Sequence, residues 1–164
     1  MAELDTMLEA NERYAKGFDQ GALPMPPARS VAIVACMDAR LHPETFLGLS
    51  VGDAHVIRNA GGRASDDALR SLIISSRLLG TREFAVVHHT DCGMLTFSNG
   101  DLQGKLAAET GQDASGIDFL PFGDLEQSVR DDVAAIKASP FIDDDIPVTG
   151  FVYDVKTGRL NEVS

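Results

Sequence analysis

The sequence has no tryptophan, only two cysteines and few bases: 14 Lys and Arg stand against 25 Asp and Glu, for a formal net charge of −11. Each scarcity excludes something. Cys36 and Cys92 cannot staple a disulfide-rich scaffold, so they read as free thiols kept reduced in a cytosolic setting. The shortage of basic residues argues against nucleic acid and anionic membrane surfaces as partners, since both are polyanions that need basic patches. The acidic balance reads instead as a solvated surface that keeps the chain soluble. No apolar run reaches the length of a membrane span. Met1 to Asp5 carries acid where a secretory signal needs base followed by an apolar core, so the expected location is the cytoplasm.

What is present is a chain of 164 residues with 44% hydrophobic composition, enough to bury a core and short enough that one domain, residues 1–164, is expected. The expected fold is α/β: a mostly parallel central sheet flanked by helices and closed by a C-terminal edge hairpin. Its first strand is Val31-Ala32-Ile33-Val34-Ala35, a continuous run of the kind buried on both faces. Ala54 to Asn59 and Glu83 to His88 read as two more strands, and Val148 to Val155 as a last one turning through Thr157-Gly158 into Arg159 to Val163. Helical spacing marks Glu3 to Phe18, Pro43 to Leu47, Ser65 to Leu79, Asp101 to Thr110 and Asp124 to Lys137. Leu23 to Pro27 is too rich in proline for helix or central strand and reads as an extended connector. The helix at Glu3 to Phe18 is amphipathic and must pack on something. The acidic triplet Asp143 to Asp145 lacks the alternating ligands and distal Glu of a calcium loop, and reads as solvated.

Two of the buried strands run into reactive side chains. The first ends in Cys36-Met37-Asp38-Ala39-Arg40, the other in His88-His89-Thr90-Asp91-Cys92-Gly93. Ligands of open α/β sheets bind beyond the carboxyl ends of strands, where both clusters fall. If the chain stays extended past Ala35, the period of two sends Cys36, Asp38 and Arg40 to one side, facing one cavity. Cys36, His89 and Cys92 together form a two-sulfur, one-nitrogen set suited to zinc, and no third cysteine exists to close a four-ligand structural site. An open fourth position is the sharper reading.

These motifs, with Ile57-Arg58-Asn59-Ala60-Gly61 and Gly150 to Asp154, resemble the β-class carbonic anhydrases over nearly the whole chain, and look closest to the short prokaryotic members. The resemblance implies one zinc ion held by Cys36, His89 and Cys92, with Asp38 and Arg40 as an active-site dyad. It implies reversible hydration of carbon dioxide to bicarbonate by a zinc-bound hydroxide, and a homodimer or dimer of dimers in which residues 1–27 form an arm used in packing. Relatives with the same motifs hydrolyse carbonyl sulfide or carbon disulfide, which is the nearest alternative. A non-catalytic zinc or thiol sensor is a third. Pro27 stands where plant-type members carry a substrate-orienting Gln, and the absence of Trp argues against an inhibitory bicarbonate pocket. Among the remaining candidates, His88 reads as a packed or hydrogen-bonded residue and His42 and His55 as weak proton-shuttle candidates. Asp91 reads as a helix-dipole or backbone cap ahead of a catalytic group, Gly93 as a turn or a backbone donor near the metal, and Phe46, Phe84, Phe97, Phe119 and Phe122 as core or interface.

Overall fold

The computed structural model describes residues 2–164. Its five strands are β1 (Val31–Cys36), β2 (Ala54–Asn59), β3 (Glu83–His89), β4 (Val148–Tyr153) and β5 (Leu160–Val163), in the sheet order β2-β1-β3-β4-β5. β1 is parallel to both β2 and β3, and β3 is parallel to β4, while β5 closes the edge antiparallel to β4. The helices are α1 (Glu3–Lys16), α2 (Pro43–Phe46), α3 (Asp66–Leu79), α4 (Asn99–Thr110) and α5 (Leu125–Lys137). The expected α/β architecture with its edge hairpin is what the chain adopts.

β1 lies between two parallel neighbours, which explains why Ala32 through Cys36 are all buried and why the run is apolar without alternation. On one face Ala32, Val34, Phe84 and Val86 pack against Ala68 and Leu72 of α3 and Ile136 of α5. Ser65 starts α3 by accepting from the Ala68 amide, and Gly80 ends it in the left-handed conformation that a glycine adopts without Cβ strain. α5 presses on β3 and β4 so closely that a Cβ at Gly150 would collide with Val129. On the other face Ile33, Ala35 and Val87 meet Phe46, Leu47, Phe151 and Tyr153, with the Phe46 and Tyr153 rings stacked at 4.4 Å.

Among the described residues none of α1 is buried: Leu4, Met7, Leu8 and Tyr14 all face outward and leave the amphipathic stripe uncovered. Three details depart from expectation. α4 starts before Asp101 because Ser98 caps it, its hydroxyl accepting from the Asp101 amide while the Asp101 carboxylate accepts from the Ser98 amide. β3 runs one residue further, to His89, held there by pairing with Tyr153. The acidic triplet is not wholly solvated, since Asp143 pairs with Arg77 at 2.6 Å.

Candidate metal centre

The ends of β1 and β3 lie side by side and bring their polar residues together. The sulfur atoms of Cys36 and Cys92 and a ring nitrogen of His89 all lie within 4.8 Å of one another, and all three residues are buried. That spread suits a single first-row cation with soft donors. His89 donates Nδ1–H to the Thr90 carbonyl at 2.8 Å, which leaves Nε2 as the lone-pair nitrogen. Among the described residues, Nε2 of His89 is the buried side-chain polar atom without a hydrogen-bond partner. An orphan of this kind in a buried site calls for a ligand. The two sulfurs compete for one proton: the hydrogen bond from the Cys92 thiol pulls Cys36 down to about 4 against the effect of burial, and the same contact pushes Cys92 up. Cys36 is thus the thiolate of the pair, and a cation bound there would have to displace the proton that Cys92 keeps.

The close fit of the neighbouring turn explains its glycines. Gly62 has φ of +69°, and a Cβ there would sit 2.8 Å from the Cys36 amide nitrogen and 3.0 Å from the Val87 carbonyl oxygen. Only glycine lets this turn slide beneath the ends of both strands.

Asp38 and Arg40 reach the centre by a different route from the extended chain expected. β1 stops at Cys36, and the chain turns, with the Arg40 amide donating to Asp38 Oδ1 at 2.9 Å and the Leu41 amide donating to the Asp38 carbonyl at 3.0 Å. The Arg40 guanidinium then grips Asp38 with two parallel bonds, Nε to Oδ1 at 2.9 Å and Nη2 to Oδ2 at 2.8 Å. Those bonds to Arg40 hold the Asp38 carboxyl well below the usual carboxylate range, so it is ionised and acceptor-only. Its Oδ2 lies 3.7 Å from His89 Nε2, at the rim of the donor triangle. Beside the triangle opens a cavity of about 340 Å³ lined by Met37, Ala60, Gly61, Met94, Phe97 and two of the donors, Cys36 and Cys92. Its walls are mostly apolar.

Sequence and structure comparisons agree with this geometry. A family model described as carbonic anhydrase matches residues 31–118. Beta-carbonic anhydrase 1 of Mycobacterium tuberculosis is 49% identical over 166 residues, covering 100% of this chain and 99% of its own. The chain belongs to the β-carbonic anhydrase family. A crystal structure of carbonic anhydrase from Streptococcus mutans superposes with a TM-score of 0.95 at 50% identity, covering 100% of this chain and 99% of that one. Another relative, a carbon disulfide hydrolase of an Acidianus strain, is 35% identical and covers 97% of this chain and 88% of its own.

Within this β-carbonic anhydrase the structure adds residues to which the motifs assigned no role. Arg58 of β2 donates Nε to the Cys36 carbonyl at 3.1 Å and Nη2 to the Asp38 carbonyl at 2.7 Å, bracing the loop that carries the thiol and the carboxylate. Asn59 exchanges hydrogen bonds with the Arg63 backbone and closes the glycine turn. Asp91 does not cap a helix; its carboxylate accepts from Arg40 Nη1 at 2.7 Å. Phe97 is neither deep core nor free surface but a wall of the cavity. Gly93 also borders the cavity, whereas His42 is exposed at the start of α2 and His55 is engaged with Ser75 at 2.7 Å. The signal for Arg58 in the sequence is its place in Ile57-Arg58-Asn59-Ala60-Gly61; Asp91 carries none beyond its place between two candidate ligands.

Proposed function

We propose that this chain catalyses the reversible hydration of carbon dioxide to bicarbonate with one zinc ion held by Cys36, His89 and Cys92. The observation that carries the reading is the unpartnered, buried Nε2 of His89 set between two thiols and beside an ionised Asp38. Two thiolates and an imidazole are the donor set that favours zinc. A zinc ion held by Cys36, His89 and Cys92 would supply the Lewis acidity that lowers the pKa of water toward neutrality.

The protein's own groups do the rest. Asp38 is acceptor-only, so it takes a hydrogen bond from the attacking water and aims the oxygen lone pair at the carbon of the substrate. Arg40 keeps that carboxylate ionised and in one orientation. Met37, Ala60, Met94 and Phe97 offer an apolar wall to a small linear molecule without charge. As the C–O bond forms, one proton leaves for solvent, and the apolar wall favours release of the charged product.

The whole chain is read as one catalytic domain working in the cytoplasm, where Cys36 and Cys92 stay reduced, and as part of a homodimer or dimer of dimers. Support for the assembly comes from α1: its apolar stripe finds no cover among the described residues of its own chain, and residues 1–27 are the arm expected to find it on a partner.

Hydrolysis of carbon disulfide is a second reading, supported by the Acidianus relative and by the apolar lining of the cavity. One preparation separates the two. Stopped-flow hydration by the zinc-loaded protein is expected to exceed the buffer rate and to climb toward alkaline pH, because two thiolates damp the acidifying power of the ion. Hydrogen sulfide release from carbon disulfide is expected to stay at background. Hydration at the buffer rate with full zinc content overturns the first reading, and sulfide release installs the second.

A further inference from the structure

Arg40 has two carboxylate partners, and they sit on different loops. Asp38 is two residues away on the same turn, so the bidentate pair fixes these two side chains relative to each other but not relative to His89 and Cys92. Asp91 supplies the missing link. It lies on the loop between those two residues, and it takes Arg40 Nη1 on its carboxylate at 2.7 Å and Arg40 Nη2 on its main-chain oxygen at 2.9 Å. Both acceptors converge on one guanidinium from a residue whose φ is +55°, a left-handed conformation that Asp tolerates better than most residues with a side chain.

We propose that Asp91 is a positioning residue of the dyad: by anchoring Arg40 to the His89–Cys92 loop, it holds Asp38 beside the metal position and off it. The inference rests on the zinc reading above. Without the Asp91 carboxylate, Arg40 and Asp38 are freer to swing as a unit, and Asp38, whose Oδ2 is already 3.7 Å from His89 Nε2, competes for the open coordination position.

Cobalt-loaded protein tests this without relying on turnover, with azide as the probe of the open position, read by visible absorption. Asp91→Asn and Asp91→Gly both accept the backbone conformation and both remove the carboxylate while leaving the main-chain bond to Arg40. In both variants the azide concentration for half-saturation is expected to rise about two- to five-fold, the range an exposed ion pair commands. Turnover of the zinc forms is expected to fall by a similar factor in kcat, with KM nearly unchanged and metal stoichiometry intact. Azide affinity and kcat equal to wild type overturn the proposal and leave the zinc site standing. Loss of cobalt from the variants also overturns it, since Asp91 would then be holding up the loop rather than placing the dyad. If the wild-type protein shows no thiolate-to-cobalt charge-transfer band, the metal reading itself falls and takes this one with it.

Discussion

His88 and His89 are chemically identical neighbours at the end of β3, and the alternation of the strand puts them in opposite situations. His88 points at α5 and is fully buried, with Nδ1 2.8 Å from the Ser128 hydroxyl and Nε2 3.0 Å from the Asp132 carboxylate. Asp132 in turn accepts from Arg63 at 2.8 Å, Arg63 donates to the Leu120 carbonyl at 2.7 Å, and the His88 ring stacks on Phe122 at 5.4 Å. Every polar atom of the ring is matched. His89, equally buried, has one nitrogen committed to a carbonyl and the other without a hydrogen-bond partner among the described residues. A closed network ties β3, α5 and the loop before α5 into one arrangement, whereas an incomplete one leaves capacity for a ligand. The protein uses the same side chain for holding on one face of the sheet and, in our proposal, for binding on the other.

The sharpest way to break this contrast is His89→Ala. Zinc content measured by atomic emission is expected to collapse and hydration to fall by about three orders of magnitude or more, because the Lewis acid goes with the ligand. The metal-free protein should lose some stability as well, since the Nδ1 bond to the Thr90 carbonyl and the packing of a buried ring go with the side chain, so zinc content is compared on protein shown to be folded. Retention of full zinc would mean that the orphaned nitrogen is not a ligand.

On the opposite face, Asp132→Asn should do the reverse. Removing one charge of the buried Arg63–Asp132 pair is expected to cost about 3–5 kcal/mol in chemical denaturation at fixed protein concentration, with zinc content unchanged. Burial alone would push the Asp132 carboxyl up, but the bonds from His88 and Arg63 outweigh it and leave it lowered. A depressed folded-state pKa means that the stabilisation is present above about pH 4, the unfolded value, and is lost as pH falls through the folded value. The variant should therefore lack this part of the acid-induced loss of stability. If Asp132→Asn instead emptied the metal site, the two faces would be one unit and the contrast would fail.

The smallest effect belongs to Ser128→Ala. It removes a single neutral partner of His88 and should cost about 1 kcal/mol with no change in metal content or kcat. A turnover defect there would show that the holding network reaches through β3 to the reacting side.

Much of this was legible in the chain. β1, β2 and β3, the helix at Ser65 to Leu79 and the placing of Cys36, His89 and Cys92 at neighbouring strand ends follow from apolar runs, caps and spacing. The turn at Asp38 was not, because the period of two stops carrying information where the ladder ends; the cysteine, the carboxylate and the guanidinium converge anyway, through side-chain-to-backbone bonds that an extended model lacks. The ion pair of Asp91 with Arg40 is hidden in the chain for a related reason. A carboxylate next to a turn suits a cap as well as an ion pair, and only the position of Arg40 decides between them.

By itself, then, the sequence determined the layered α/β plan and the chemical inventory of the site, since burial on both faces of a parallel strand demands a continuous apolar run and donors must follow where that run stops. Tertiary structure alone decided which polar groups are matched. Arg40 meets Asp91 across 51 residues and Arg63 meets Asp132 across 69, separations that no helical or strand periodicity encodes. The fate of His88 and His89 was settled the same way, by what α5 and the β1 loop happened to place opposite each ring.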